Sequence, residues 1–471
     1  MLFNQLINIL LPTADEYICY VGGAVKELAW VPLPPTVDTQ YLLCSQRNRM
    51  NSFARHSKDK QEDALLLVFE CKMSPAGVDN IWPLQMRLHY GISLAQDSVH
   101  SIALMPSGGY DESTNRLGLL AVASSSGTAI FALPLHLAGC EKAGKIKPDA
   151  VIALEPLLTL TLDIENPVKD PCTKICWSES SGHNLLVSGY ASGNVAFWDI
   201  SDEQGLNCFE RNNRRHFLPA NIFYFGERNI NYLELHYDTN GPRWLAVGAL
   251  VRKLWIYDIS NWSQPLPIVG DTIQNLFLGG VNWPPLWDSL VVGATELYKY
   301  QYPRLITLNP SGINFDHGPL DALLSSPRAV HFNWDQVALV TVTDNGDITF
   351  IQSNQLNMES QLQKRTTKCR TVCATEACYL NGTSEPDSVS PDVFRRDYGL
   401  LLKPLTNVPH AKNTTYRNSR IQSGFELLSL TRLNCVRWNW NQCARNWIAV
   451  GAEHGLLRIV NFDRTKHFTI I

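Results

Sequence analysis

No apolar run in this chain approaches the roughly 18 residues that a membrane-spanning helix requires, so no such helix is expected. Met1 to Leu11 are apolar but lack a basic leader and a small-residue cleavage site, and no secretory signal is expected. The sequons Asn261-Trp-Ser263 and Asn413-Thr-Thr415 then carry no meaning. Charge is scarce as well. Only 18% of the 471 residues are charged, and 40 basic against 44 acidic side chains leave a net charge of −4. Dedicated nucleic-acid binders are usually visibly basic, so any DNA contact would need a local patch. Catalytic signatures are missing too: there is no Gly-x-Ser-x-Gly elbow, no phosphate-cradling glycine loop and no His-Glu-x-x-His helix. A non-enzyme with no cofactor, no small-molecule substrate and no membrane contact is the expectation.

What the chain does have is core-forming residues. Apolar residues make up 45%, with 13 tryptophans, which argues against global disorder. Its 12 cysteines sit mostly inside apolar strand patterns, as Cys176 beside Trp177 and Cys435 before Val436. There they read as small buried hydrophobes of a reducing compartment.

The informative feature is a strand signature that recurs seven times: apolar at i, apolar at i+3, and large apolar or aromatic at i+5. It reads Val25-Leu28-Trp30, Val99-Ile102-Leu104, Cys172-Ile175-Trp177, Ile230-Leu233-Leu235 and Ile273-Leu276-Leu278, then Val330-Phe332 entered from Pro327, then Leu433-Val436-Trp438. After each comes a run of small and β-branched residues, a turn, and a strand ending in aromatics. Leu186-Val-Ser-Gly-Tyr-Ala-Ser-Gly193-Asn-Val-Ala-Phe-Trp-Asp199 shows it best. One supersecondary unit used seven times predicts an all-β fold, a seven-bladed WD40-like β-propeller spanning 1–471 as a single domain. Small residues on the second strand let neighbouring sheets approach, and Asn-Gly or Ser-Gly turns supply positive φ. The last unit starts at Leu433 and is short by one strand, which Tyr17 to Val21 is expected to supply. Trp30, Trp177, Trp198, Trp255 and Trp438 are the expected structural core.

Unit spacing is uneven, which predicts loop insertions. The largest, 375–424 between blades six and seven, is polar and read as mostly flexible. Leu400 to Leu405 inside it is apolar enough to dock on a partner or on the propeller, or to stand as a loose strand on the outer blade edge.

Three kinds of site are conceivable. Cys369, Cys373 and Cys378, with Cys172 and Cys176, have spacings that zinc tolerates, but no nearby fourth ligand completes them, and buried thiols are the preferred reading. Asp199, Asp258 and Asp344 fall at strand ends, where carboxylates cap backbone. Two basic runs between blade strands are candidate phosphate contacts: Arg211, Arg214 and Arg215 in the first, and Lys364, Arg365, Lys368 and Arg370 in the second. A solvated loop is the plainer alternative for both.

Particular segments carry a family resemblance. Tyr90-Gly-Ile92, Met105-Pro-Ser-Gly108 and Leu117 to Ser124, then Leu186 to Asp199, Trp244 to Pro265, Val436-Arg-Trp438 and Asn446 to Ile459 occur in an order similar to the β-propeller (WD40-repeat) subunits, of the subunit-2 type, of general transcription factor IIIC. The resemblance runs from about residue 17 to 462 and thins between 270 and 330. It implies a non-catalytic nuclear scaffold that holds the other subunits of that factor. It also implies support for recognition of the B-box promoter of transfer-RNA genes by RNA polymerase III machinery, with DNA touched indirectly or weakly. A WD40 adaptor of another complex, reading a peptide or histone tail in its central mouth, is the rival expectation.

Overall fold

A computed structural model describes residues 9–12, 16–47, 64–73, 85–94, 98–137, 151–163, 170–179, 182–201, 205, 207–238, 241–249, 253–269, 276–284, 290–296, 303–308, 310, 318–322, 326–333, 338–353, 367–373, 375–379, 398–402 and 431–462. Among them the regular structure is almost wholly strand, arranged as an all-β β-propeller. Seven sheets hold four to six strands each, and an eighth holds two. Each large sheet begins with one signature strand: Ala24–Trp30, Val99–Leu104, Cys172–Trp177, Ile230–Asp238, Leu276–Asn282, Pro327–Asn333 and Leu433–Trp438. Each of these strands packs beside the next, and the last packs beside the first.

Every signature strand carries a bulge just after its first apolar member, between Val25 and Glu27, Val99 and Ser101, Cys172 and Lys174, Ile230 and Tyr232, Leu278 and Gly280, Pro327 and Ala329, and Leu433 and Cys435. A bulge adds local twist, which bends each strand at the same level. The bulge also corrects one reading. In the fifth sheet it follows Leu278, so the signature there is Leu278-Val281-Trp283 rather than Ile273-Leu276-Leu278. Ile273 lies outside the described residues. Two overlapping apolar patterns compete in that stretch, and only pairing with Leu290–Glu296 decides between them.

The core lies between sheets. One cluster joins Leu28, Leu42 and Phe69 of the first large sheet to Trp447, Leu457 and Ile459 of the last. Small residues on second strands make this possible. A Cβ on Gly189 would stand 2.5 Å from Cγ2 of Ile230, the leading signature residue of the next sheet. Gly451 stands in the same relation to Val25 across the seam.

The seam is closed by the N-terminal strand, as expected. Glu16–Tyr20 pairs antiparallel with Leu456–Asn461, and the Glu16 carboxylate pairs with Arg458, both side chains buried. Asn434 Nδ2 donates to the Val25 carbonyl at 2.9 Å, and Asn441 Nδ2 donates to the Val31 carbonyl at 2.8 Å. Within the 375–424 segment, Thr375–Tyr379 pairs with Tyr398–Leu402, and Leu400 and Leu402 pack against the cluster that holds Trp438. This stretch is thus a strand that rests on the propeller through Leu400 and Leu402; Lys403 to Leu405 lie outside the described residues.

Candidate functional site

The signature strands surround two cavities that share a polar constriction formed by Glu27, Lys174, Glu234 and Arg437. Glu27 is its anchor. Its carboxylate accepts from Lys174 Nζ at 2.7 Å and from the Ile102 backbone N–H at 2.7 Å, with Arg437 Nη2 at 3.5 Å. Burial pushes the Glu27 carboxyl up, but the two cations and the hydrogen bonds outweigh it, so it ionises below the usual carboxylate range.

On one side of the constriction lies the larger cavity, of about 870 Å³. Its aromatic lining comes from the repeat itself. Trp30, Trp177, Trp283 and Trp438 occupy the i+5 position of four signatures, and all four line it. Each indole is held by backbone or by a neighbouring ring: Trp30 Nε1 donates to the Arg437 carbonyl at 3.2 Å, Trp177 Nε1 to the His183 carbonyl at 2.7 Å, Trp438 Nε1 to the Arg445 carbonyl at 2.7 Å, and the Trp283 ring lies 5.0 Å from His236. Trp440 stands at the rim, 44% exposed, its ring centroid 5.4 Å from that of His331. His331 is kept neutral far below its ordinary range by burial and by nearby Arg437, and its Nδ1 accepts from the Trp438 N–H at 3.2 Å.

Two further carboxylates face this cavity. Glu234 is pushed up to about 7, chiefly by burial, with Lys174 and Arg437 opposing and Glu179 and Glu27 adding. Glu179 is also pushed up to about 7 by burial, against the opposing effect of its hydrogen bond with Tyr237. Sequence reading passed these residues over. The signal was present: Glu27, Lys174, Glu234 and Arg437 are charges set inside an otherwise apolar strand signature.

On the other side the smaller cavity, of about 300 Å³, is edged by Lys26, His100 and Arg328. Arg328 Nε lies 2.5 Å from Asp344 Oδ1, which also takes Arg432 Nε at 2.8 Å.

The described parts of the predicted basic runs are strands rather than loops. Cys208–Arg211 and Arg214–Phe217 form a hairpin whose tip, Asn212 and Asn213, has φ of 53° and 58°. The asparagines tolerate that left-handed turn, which sets Arg211 directly opposite Arg214. The hairpin adds to a neighbouring sheet through parallel pairing of Thr159 with His216. Arg211, Arg214 and Arg215 are exposed, and Arg214 lies 2.7 Å from Glu155. Lys368 and Arg370 lie on strand Thr367–Cys373, which pairs with Asp347–Ser353. Lys364 and Arg365 fall outside the described residues. The structure does not bring the two runs into one described patch.

Of the expected core tryptophans, Trp30, Trp177, Trp198 and Trp438 are buried, and Trp198 Nε1 donates to Ser188 Oγ at 2.7 Å. Trp255 is corrected to half-buried. Its strand buries Leu254, Ile256 and Tyr257, leaving the Trp255 ring beside Lys253, whose ammonium is 5.7 Å from the centroid. Cys172 is buried and Cys176 partly buried, and among the described residues no group of three or more metal-ligating side chains is present. The side chains of Cys369, Cys373 and Cys378 lie outside the described part of the structure.

The fold thus defines a β-propeller whose central channel opens on one side into an aromatic, carboxylate-bearing funnel. In sequence the chain is 25% identical over 297 residues to "General transcription factor 3C polypeptide 2" of Pongo abelii and equally to that of Homo sapiens. The match covers 59% of this chain, and the chain spans about a third, 32%, of the length of each relative. No family model matches the chain.

Proposed function

We propose that this chain is a non-enzymatic scaffold subunit of a general transcription factor IIIC, a nuclear complex in which it supports B-box recognition and assembly at transfer-RNA genes. The observation that carries this reading is the similarity to polypeptide 2 of that factor, lying on a chain with a propeller fold. Its partners are the other subunits of the factor. DNA is contacted weakly, through the exposed hairpin Cys208–Phe217. Further to the fold, we read seven blades: seven signature strands, each heading one sheet, pack in sequence with the last beside the first. Affinity purification of the tagged chain from its own cells tests the reading. Recovery of the remaining factor IIIC subunits supports it, and recovery of a different chromatin or trafficking complex overturns it. The aromatic funnel favours one second reading, an adaptor of another complex that takes a peptide in its mouth.

A further inference from the structure

We propose that the aromatic mouth binds a lysine or arginine side chain presented by an extended segment of a partner protein, with Glu234 and Glu179 as its anionic acceptors. The inference goes beyond the scaffold assignment and holds whichever complex contains the chain.

Charge balance is the first argument. Among the carboxylates and permanent cations at this end of the channel, Glu27, Glu179 and Glu234 face Lys174 and Arg437. Three anions against two cations leave one negative charge unmatched when all are ionised. Glu27 engages both cations closely, so the unmatched charge falls on Glu179 and Glu234. His331, on the adjoining strand, is held neutral and does not supply the missing cation; His183 and His236 also line the wall. The Glu234 carboxylate makes no hydrogen bond to any described residue, although it lies deep in the channel.

The chemistry of the walls is the second argument. Indole faces attract cations and also accept the aliphatic stem of a long basic side chain. An apolar ligand would desolvate Glu234 without giving it a partner, and an anionic ligand would meet two carboxylates. A basic side chain satisfies both surfaces. The cavity, about 870 Å³, has the size of a binding pocket rather than a packing defect. Because an entering cation favours the ionised carboxylates, binding near neutral pH releases protons.

The test uses the intact chain and four fluorescent heptapeptide pools, with random flanks and a central lysine, arginine, norleucine or glutamate. By anisotropy, the lysine or arginine pool is expected to bind at least about ten-fold tighter than the other two, more so at pH 8 than at pH 6. Glu179→Gln with Glu234→Gln is expected to abolish that preference. Calorimetry at pH 7 in two buffers of different ionisation enthalpy should show proton release, lost in the double variant. Glu179→Gln alone, with cooperative unfolding retained, is expected to weaken binding at least about three-fold, guarding against loss of fold. Equal affinity for the lysine and norleucine pools would overturn the proposal. So would a lysine preference that survives both the single and the double variant, since the cation would then sit elsewhere.

Discussion

Trp177 is buried between sheets and bonded to the His183 carbonyl. Trp177→Ala is expected to cost about 3–5 kcal/mol as a large core truncation, measured by denaturant unfolding. The channel carboxylates give stability an opposed pH dependence. The Glu27 pKa is lowered in the folded chain, so its contribution is present above the ordinary carboxylate pKa and is lost as pH falls through the folded value. Glu234 and Glu179 are raised to about 7, so the stability each contributes is full below the ordinary value near 4.5 and is lost as pH rises through 7. Glu234→Gln should therefore gain on the parent chain between pH 5 and 7.5, as roughly a pH-dependent shift in urea midpoint. A parallel pH profile for the two proteins would remove the buried-carboxylate account. The apolar signature and the charges set inside it were legible here, but which of those charges would meet was not, because a single strand does not show which other strands it will face.

At the level of elements, second-strand glycines govern the distance between sheets. Gly189→Ala is expected to destabilise by about 1–3 kcal/mol through contact with Ile230. Combining it with Ile230→Val should recover part of the loss, since the pair are in direct contact. Two additive changes would mean that the sheets part freely at this point. The hairpin Cys208–Phe217 makes a different prediction. Replacing Arg211, Arg214 and Arg215 with alanine should lower DNA retention by the assembled complex. It should also flatten the salt dependence, by about 0.9 in log–log slope for each phosphate no longer neutralised. Arg214 is already paired with Glu155, so its single replacement should matter less than that of Arg215. Retention and slope unchanged in the triple variant would mark the hairpin as a solvated edge. The basic residues were legible in the sequence, whereas the turn at Asn212 and Asn213 and the hairpin's addition to a neighbouring sheet were not, since that pairing joins Thr159 to His216.

Across the molecule, closure depends on a strand from the other end of the chain. Deleting residues 1–20 would leave Leu456–Asn461 as an open edge and Arg458 without its buried partner Glu16. Unpaired edges recruit other chains, and a buried charge without its partner costs about 3–5 kcal/mol. The deletion should lower the unfolding temperature and raise light scattering on storage. If the truncated chain stays monomeric with an unchanged unfolding temperature, the seam is held elsewhere, for example by Asn434 and Asn441.

Sequence alone determined the repeated unit, its alternation of apolar and small residues, its tight turns and the strand that would close the seam. These are local properties, written within a dozen residues and repeated often enough to be read. Tertiary structure alone decided that the fifth signature is Leu278-Val281-Trp283, since strand register is chosen by the partner strand. It alone also gathered Glu27, Lys174, Glu234 and Arg437 at one constriction. Those four residues come from four separate sheets, so their distances, burial and shifted ionisation exist only once the ring of strands has formed.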